Sequence, residues 1–197
     1  MARGSIERLA PPGEGLPVES GGDVIARVSK AIGTPASLPD IIGLAIRIPP
    51  APFTATAWDI LLVSAGRGLA TKFALRPTTS WSTPVSSLMP LHHRGRYWWV
   101  RGQMITDIAQ AGLSLDDVGN RIARGGVEFA IDQAAGTQGF RPLARLTLSE
   151  VLPDDTAHEV AFDPTIHSAP GVELAPRWLT GIRRRAYERS REGRDAG

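Results

Sequence analysis

The histidine and carboxylate side chains are the first candidates for chemistry, and their spacing predicts no assembled centre. His92 and His93 are adjacent, so they face opposite ways in a strand and lie about 100° apart in a helix, which gives no clean metal-binding face. His167 follows Asp163, and His158 lies among acidic residues, a combination that could bind a divalent cation. Because their spacing matches no metal-ligand pattern, we interpret them all as solvated loop residues.

Arginines form the densest charge cluster of the chain, near its carboxyl end. The cluster consists of Arg183, Arg184, Arg185, Arg189, Arg191 and Arg194. Guanidinium groups at this density could track the phosphates of a nucleic acid. The formal net charge of the whole chain is only +2, however, and no predicted strand has the spaced aromatic platform of single-strand binders. A solvated terminal helix is therefore the competing interpretation of the cluster.

The composition excludes several other kinds of centre. The 197 residues include no cysteine, which excludes disulfides, thiolate nucleophiles, zinc fingers and iron–sulfur clusters and is typical of a cytoplasmic protein. The sequence contains no GxGxxG or Walker loop and no GxSxG elbow, which argues against nucleotide binding by those routes and against serine hydrolase chemistry. It also lacks a long apolar run and a signal-peptide core after Met1, so we expect no membrane span.

Short strands are the elements that must position the remaining candidates. The 21 glycines and 16 prolines favour many short strands over a few long helices. Apolar alternation and short apolar runs predict strands at 23–29, 44–48, 58–63, 69–75, 96–103, 127–135 and 143–151. Residues 1–22 predict an extended arm ordered only by contact, and residues 76–90 predict a flexible loop.

Two helices are predicted among these strands. Ser114 is a good N-cap before an amphipathic run that Gly125 and Gly126 end. Pro176 is placed for the first turn of a C-terminal helix over about 176–192. We therefore predict a mainly β (α+β) fold in which residues 23–197 form one small antiparallel β-barrel, with one inserted short helix and a C-terminal helix packed on or across one mouth.

The C-terminal segment AFDPTIHSAPGVELAPRWLTGIRRRAY resembles the haem-proximal segment of the catalase family. In that family an AF-x-P motif leads to a PG-[IV] turn and then to a helix with an Arg and, four residues later, a Tyr. The matching residues are Ala161, Phe162, Pro164, Pro170, Gly171, Val172, Arg183 and Tyr187. A second block agrees in order and spacing, since the family's R-x-S step, PD-x-x-G-x-A segment and W-D-L strand resemble residues 27–29, 39–45 and 58–60. The resemblance implies a catalase-like β-barrel over most of the chain.

The same resemblance implies a haem b site and names its residues. Tyr187 would be the axial iron ligand through its phenolate, as in catalases. Arg183, one helical turn earlier, would hydrogen-bond the phenolate oxygen and favour its anionic form. Arg27 and Arg194 resemble the residues that pair with the haem propionates, and Ser29 resembles the residue that steadies the distal histidine. Without the resemblance, Arg27 would be interpreted as an ion-paired surface residue and Ser29 as a neutral strand residue.

One departure limits the activity that the resemblance implies. Catalase chemistry needs a distal imidazole to move a proton between peroxide oxygens, and the family places it upstream of the R-x-S strand. No histidine precedes His92 in this sequence, and the matching position falls at or before Met1. The resemblance therefore implies a minimal haem peroxidase, or an enzyme of organic hydroperoxides, that lacks efficient catalase chemistry.

A second class of function stays open beside this one. A barrel of this kind without haem could be a small-ligand-binding or interaction module, whose interior is either packed with side chains or open to a small apolar ligand. An Arg-rich helix on a small barrel could also serve a homodimer contact. Nucleic-acid binding is the least favoured class.

Overall fold

Ten strands and one helix form the part of the chain that this computed structural model describes, which is residues 1–50, 56–65, 75–108, 111–153 and 160–175. The strands are β1 (Ala2–Arg8), β2 (Gly21–Lys30), β3 (Ile42–Ile48), β4 (Trp58–Ser64), β5 (Val85–Ser86), β6 (Leu91–His93), β7 (Arg96–Met104), β8 (Val127–Ala135), β9 (Arg141–Val151) and β10 (Val172–Leu174). The helix is α1 (Leu115–Gly125).

Eight of these strands close into an antiparallel barrel. Their order around the barrel is β8-β9-β1-β2-β3-β4-β5-β7, and the pairing of β7 with β8 closes the ring. The short strands β6 and β10 lie outside the ring, because β6 pairs with β7 beyond β5 and β10 pairs only with β6. The predicted mainly β barrel with one inserted short helix is confirmed.

The barrel interior is a packed apolar core. A barrel of eight strands encloses a space that side chains alone can fill, and the strands supply apolar residues at alternate positions to fill it. Inward-facing side chains that are at most 2% exposed include Val24, Leu44, Leu62, Val100, Ile131, Leu146 and Leu148. Trp58 and Trp98 add aromatic bulk and are each 4% exposed. Of the two states that the sequence left open, the described interior has the packed one.

The predicted inserted helix is confirmed as α1. The side-chain oxygen of Ser114 accepts a hydrogen bond from the backbone N–H of Asp117 at 3.1 Å, which caps the first turn. Gly126, with a φ of 81°, ends the helix in a conformation that favours glycine. Val118 and Ile122 are the buried residues of the helix, which packs against β9. Within the described ranges, no helix has the length and apolar character that crossing a bilayer requires.

Several segments differ from the sequence-based expectation. Residues 2–8, placed in the extended arm, form β1, which pairs with β2 on one side and β9 on the other. Its strand pattern is weak in the sequence because two of its inward residues are Ala2 and Gly4. Residues 76–90, predicted as a flexible loop, contain β5, which pairs with β4 and β7. The predicted strand at 69–75 lies almost wholly outside the described residues, and the C-terminal helix at 176–192 lies wholly outside them.

Gly4 marks a close approach between β1 and β9. A Cβ atom added to Gly4 would lie 1.8 Å from the carbonyl oxygen of Thr147. The carbonyl oxygen of Thr147 and the Cα atom of Gly4 both belong to strand backbone, so one strand must move to admit a side chain.

Replacing Gly4 with alanine is therefore expected to lower the free energy of unfolding by about 1–3 kcal/mol, since overpacking forces a backbone shift. Urea denaturation of the full chain measures this change. Gly139→Ala is the matched control, because a Cβ at Gly139 meets open space. An equal effect of the two substitutions would contradict the close approach.

The loop between β2 and β3 is held by the carboxylate of Asp40, a fully buried residue. Oδ1 accepts the backbone N–H groups of Ile32 at 2.9 Å and Ile41 at 2.7 Å, and Oδ2 accepts the backbone N–H and the hydroxyl of Thr34, both at 2.9 Å. Burial by itself opposes ionisation, but these hydrogen bonds to the charged form outweigh it and hold the pKa of Asp40 well below its ordinary value.

Asp40→Asn is expected to destabilise the protein at neutral pH and to matter less in acid. Because the folded-state pKa lies below the unfolded value of about 3.9, the carboxylate's stabilisation is complete above that value and is lost as the pH falls toward the folded-state value. Unfolding free energies of both proteins at pH 7 and at about pH 3 test this linkage. Asp107→Asn, at an exposed position, is the control. A stability difference that stays constant with pH would refute the assignment.

Candidate functional site

The outward face of β2, β3 and β4 is the candidate site, and the strand register sets it out in three rows of three residues. The first row is Ile25, Arg47 and Asp59, the second is Arg27, Ala45 and Leu61, and the third is Ser29, Gly43 and Val63. We call these rows the outer patch. Its side chains are half-buried, except that Ala45 and Asp59 are buried. A barrel wall facing water alone would be more polar and more exposed.

The second and third rows form a flat, largely apolar strip. Gly43 and Ala45 place almost no side chain on the central strand, while Leu61 and Val63 supply apolar surface on the next strand. A Cβ atom at Gly43 would lie 2.9 Å from the hydroxyl oxygen of Ser29, so a larger residue would fill the depression beside Ser29. A flat apolar group laid on this strip would therefore contact the backbone of β3.

Two arginines of the outer patch, Arg27 and Arg47, contact the phenylalanine Phe162. The guanidinium carbon of Arg27 lies 5.6 Å from the centroid of the Phe162 ring, and that of Arg47 lies 5.4 Å from it. These distances fit cation–π contacts. Phe162 is 7% exposed, so the segment that carries it is packed against the barrel wall. The patch thus combines apolar surface with guanidinium groups, which suit carboxylate partners.

A buried ion pair ends the patch at its first row. Arg47 donates from Nε to Asp59 Oδ1 at 2.7 Å and from Nη2 to Asp59 Oδ2 at 2.6 Å. The Asp59 side chain is 0% exposed and the Arg47 side chain 19% exposed. The hydrogen bond from the guanidinium to the Asp59 carboxylate raises the pKa of Arg47 above its ordinary value. Arg47 therefore stays positively charged.

The same ion pair fastens the segment 161–167 to the barrel. Asp59 Oδ2 accepts the backbone N–H of Asp163 at 2.7 Å, and the backbone N–H of Asp59 donates to the carbonyl oxygen of His167 at 3.0 Å. Arg47 Nη2 donates to the carbonyl oxygen of Ala161 at 2.7 Å. The imidazole Nδ1 of His167 lies 2.9 Å from Asp59 Oδ2. One strand carboxylate therefore organises a loop about a hundred residues away in the chain.

Two of the site residues that the resemblance names lie in this patch. Arg27 is in its second row and Ser29 in its third, on adjacent outward positions of β2. The other three, Arg183, Tyr187 and Arg194, lie outside the described residues. The structure therefore brings Arg27 into contact with Phe162 of the AF-x-P motif, and it places Ser29 and Asp59 of the W-D step on the same face of the barrel.

One interpretation of a single residue is wrong. His167, interpreted as a solvated loop residue, contacts Asp59, which is a buried strand residue. An available signal was the acidic residue inside the apolar run WDILLV, because a buried carboxylate requires partners. Those partners come from Arg47 and from a distant loop, and no local pattern identifies them.

The neighbouring histidines are also held by structure. His92 and His93, interpreted as a loop pair, form part of β6, and His93 Nδ1 lies 2.9 Å from the carbonyl oxygen of Gly171. They do face opposite ways, since His93 is buried and His92 is half-buried. Among the described residues, no cluster of histidine and acidic side chains could hold a metal ion.

The described residues leave no room for a haem-sized group inside the barrel. The interior is filled by the buried side chains of the core, so a porphyrin has no room there. The outer patch instead offers a flat apolar strip beside Arg27, which matches a flat apolar ring with carboxylates at one edge. The residues present on this face fit such a group.

Comparison with known proteins identifies no family. No protein-family model matches the sequence, and no curated protein matches it.

Asp59→Asn is expected to lower the free energy of unfolding by about 3–5 kcal/mol, because it leaves the half-buried Arg47 cation without its counter-charge. Urea denaturation measures the loss. The control is Asp132→Asn, which breaks the ion pair between Asp132 and Arg101. The side chains of that pair are more exposed, at 18% for Asp132 and 35% for Arg101, so we expect a loss of about 1 kcal/mol or less. Similar losses in both variants would argue against a special role for Asp59.

Proposed function

We propose that this protein is a minimal catalase-like haem protein with peroxidase or organic-hydroperoxide activity and without efficient catalase chemistry. The observation that supports the proposal is the meeting of its motifs in space. Arg27 of the R-x-S step and Phe162 of the AF-x-P motif are in cation–π contact, and Asp59 of the W-D step accepts a hydrogen bond from Asp163 of the AF-x-P motif, 104 residues away. Segments that resemble parts of one haem site therefore share one face of the barrel.

The residues of the outer patch have the chemistry that such a site requires. Arg27 would pair with a propionate, since a guanidinium matches a carboxylate in geometry and charge. Gly43 and Ala45 would leave the backbone of β3 open to the face of the ring, and Leu61 and Val63 would exclude water beside it. Ser29 would offer a hydroxyl at the edge of this strip.

The resemblance assigns the iron-binding side of the site to the C-terminal residues. Tyr187 would bind the iron through its phenolate, Arg183 would hold that oxygen in its anionic form, and Arg194 would pair with a propionate. Bound haem would supply the redox chemistry with peroxides. The protein's own part is to bind and orient the cofactor and to manage the proton of the peroxide.

Titration of the purified full chain with hemin is the test of this proposal. We expect a Soret band that saturates at one equivalent and that shifts or is lost in Tyr187→Phe. Tyr97→Phe is the matched control, because Tyr97 is the second of the two tyrosines and is exposed on β7. Arg27→Gln is expected to weaken hemin binding about 10-fold or more, by loss of a charge-assisted hydrogen bond.

The opposite results support the haem-free alternative. If both tyrosine variants give the same spectrum as wild type, the assignment of Tyr187 as the iron ligand fails. If the wild-type chain gives no Soret band, haem binding fails as well, and the barrel would then be a small-ligand-binding or interaction module that works without haem.

A further inference from the structure

The hydrogen atoms of the Asp59 cluster determine which tautomer His167 adopts. Nδ1 of His167 lies 2.9 Å from Asp59 Oδ2 and also 2.9 Å from Arg47 Nη2. A guanidinium Nη2 carries two hydrogens, and Arg47 Nη2 directs one to Asp59 Oδ2 at 2.6 Å and one to the carbonyl oxygen of Ala161 at 2.7 Å. Both hydrogens of Nη2 therefore have oxygen acceptors that are closer than His167 Nδ1. We assign a hydrogen to Nδ1, donated to Asp59, because a lone pair at Nδ1 would lie 2.9 Å from the carboxylate oxygen.

This assignment leaves the other ring nitrogen with a lone pair. In a neutral imidazole whose Nδ1 is protonated, Nε2 is an acceptor and can take up a proton. The His167 side chain is 29% exposed, whereas that of Asp59 is 0% exposed. Within the described part of the chain, no hydrogen bond reaches Nε2. The ring is thus held at Nδ1, and its side chain is partly exposed.

Anchoring the segment does not require the imidazole. The backbone of 161–167 is already fastened by the N–H of Asp163, the carbonyl of His167 and the carbonyl of Ala161. An aliphatic side chain at His167 would leave all three bonds in place. A histidine at this position adds a protonatable group, held by a buried carboxylate in the arrangement that orients a general base in hydrolase triads.

We infer that Asp59 and His167 form a proton-transfer dyad at the end of the outer patch, with His167 Nε2 as the general base for a hydroperoxide bound there. The inference rests on the proposed function for its substrate. In the step, the O–H bond of the hydroperoxide breaks and its proton forms a new N–H bond at Nε2. The products are the hydroperoxide anion and an imidazolium, and no electron is transferred.

The charges around the ring suit this step. The imidazolium would face the carboxylate of Asp59 on β4 and the guanidinium of Arg47 on β3. Arg47 opposes a second positive charge, but Asp59 already neutralises it through two hydrogen bonds. Asp163 adds a further negative group close in the chain. The dyad also supplies an imidazole, which this sequence lacks upstream of the R-x-S step because no histidine precedes His92.

The tautomer is tested first, on the full chain without haem. Nitrogen-15 NMR of labelled imidazole rings distinguishes a protonated Nδ1 from a protonated Nε2. We expect His167 to be protonated at Nδ1 when neutral. A spectrum with the proton on Nε2 would overturn the inference whatever the protein binds.

The base is tested next with His167→Asn. The Asn side-chain N–H₂ can replace the Nδ1 donor to Asp59, but Asn has no atom in the place of Nε2. The variant therefore keeps the hydrogen bond to Asp59 and lacks the base. With haem-loaded protein and cumene hydroperoxide, we expect the second-order rate constant to fall about 100-fold or more. Added imidazole should restore part of it, while hemin affinity and the urea midpoint stay unchanged. His92→Asn, in β6, is the matched control and should react as wild type does.

The outcomes separate this inference from the proposed function. A His167→Asn rate equal to that of the wild type, with the Soret band present, overturns the dyad and leaves haem binding intact. Absence of the Soret band in the wild type overturns the proposed function and the hydroperoxide as substrate. In that case Nε2 protonation in the NMR spectrum still rejects the dyad, and Nδ1 protonation supports it as a base for another ligand.

Discussion

The ion pair and hydrogen bonds of one buried carboxylate, that of Asp59, are the interactions on which the outer patch depends. Asp59 is buried on the outward side of β4, where a charge is tolerated only if it is paired and hydrogen-bonded. Arg47 supplies the counter-charge, and the loop 161–167 supplies the remaining donors. Because those partners come from separate parts of the chain, satisfying this one group fixes how the segment 161–167 lies against the barrel. The candidate site follows from that constraint.

The packed interior explains why the candidate site lies on the outside of the barrel wall. Eight strands leave a space that leucine, isoleucine, valine and tryptophan side chains fill, so a ligand has to bind at the surface. On β4 the outward residues Leu61 and Val63 are apolar, as are most of the inward ones. The continuous apolar run of β4 is the sequence signature of such a strand, and its one acidic residue marks where the second face becomes polar.

The parts of the fold with strong local signals were predictable from the sequence. The strands at 127–135 and 143–151 alternate clearly, and Ser114 with Gly126 bounds α1 at both ends. The strand β1 was not recognised, because Ala2 and Gly4 are weak signals and pairing with two neighbours compensates for them. The strands β5, β6 and β10 are only two or three residues long, too short for any periodicity. Of the candidate site, the sequence indicated Arg27 and Ser29 through a resemblance.

Composition and periodicity by themselves determined a cysteine-free, mainly β chain with one capped helix, since these features arise from each residue's own preferences and those of its near neighbours. Only the tertiary structure decided that the barrel closes, that Asp59 is buried and that His167 contacts it. These facts depend on pairings between residues far apart in the chain, 108 positions apart for Asp59 and His167. A linear pattern cannot specify such partners, because the free energy that selects them comes from desolvation and packing in the assembled fold.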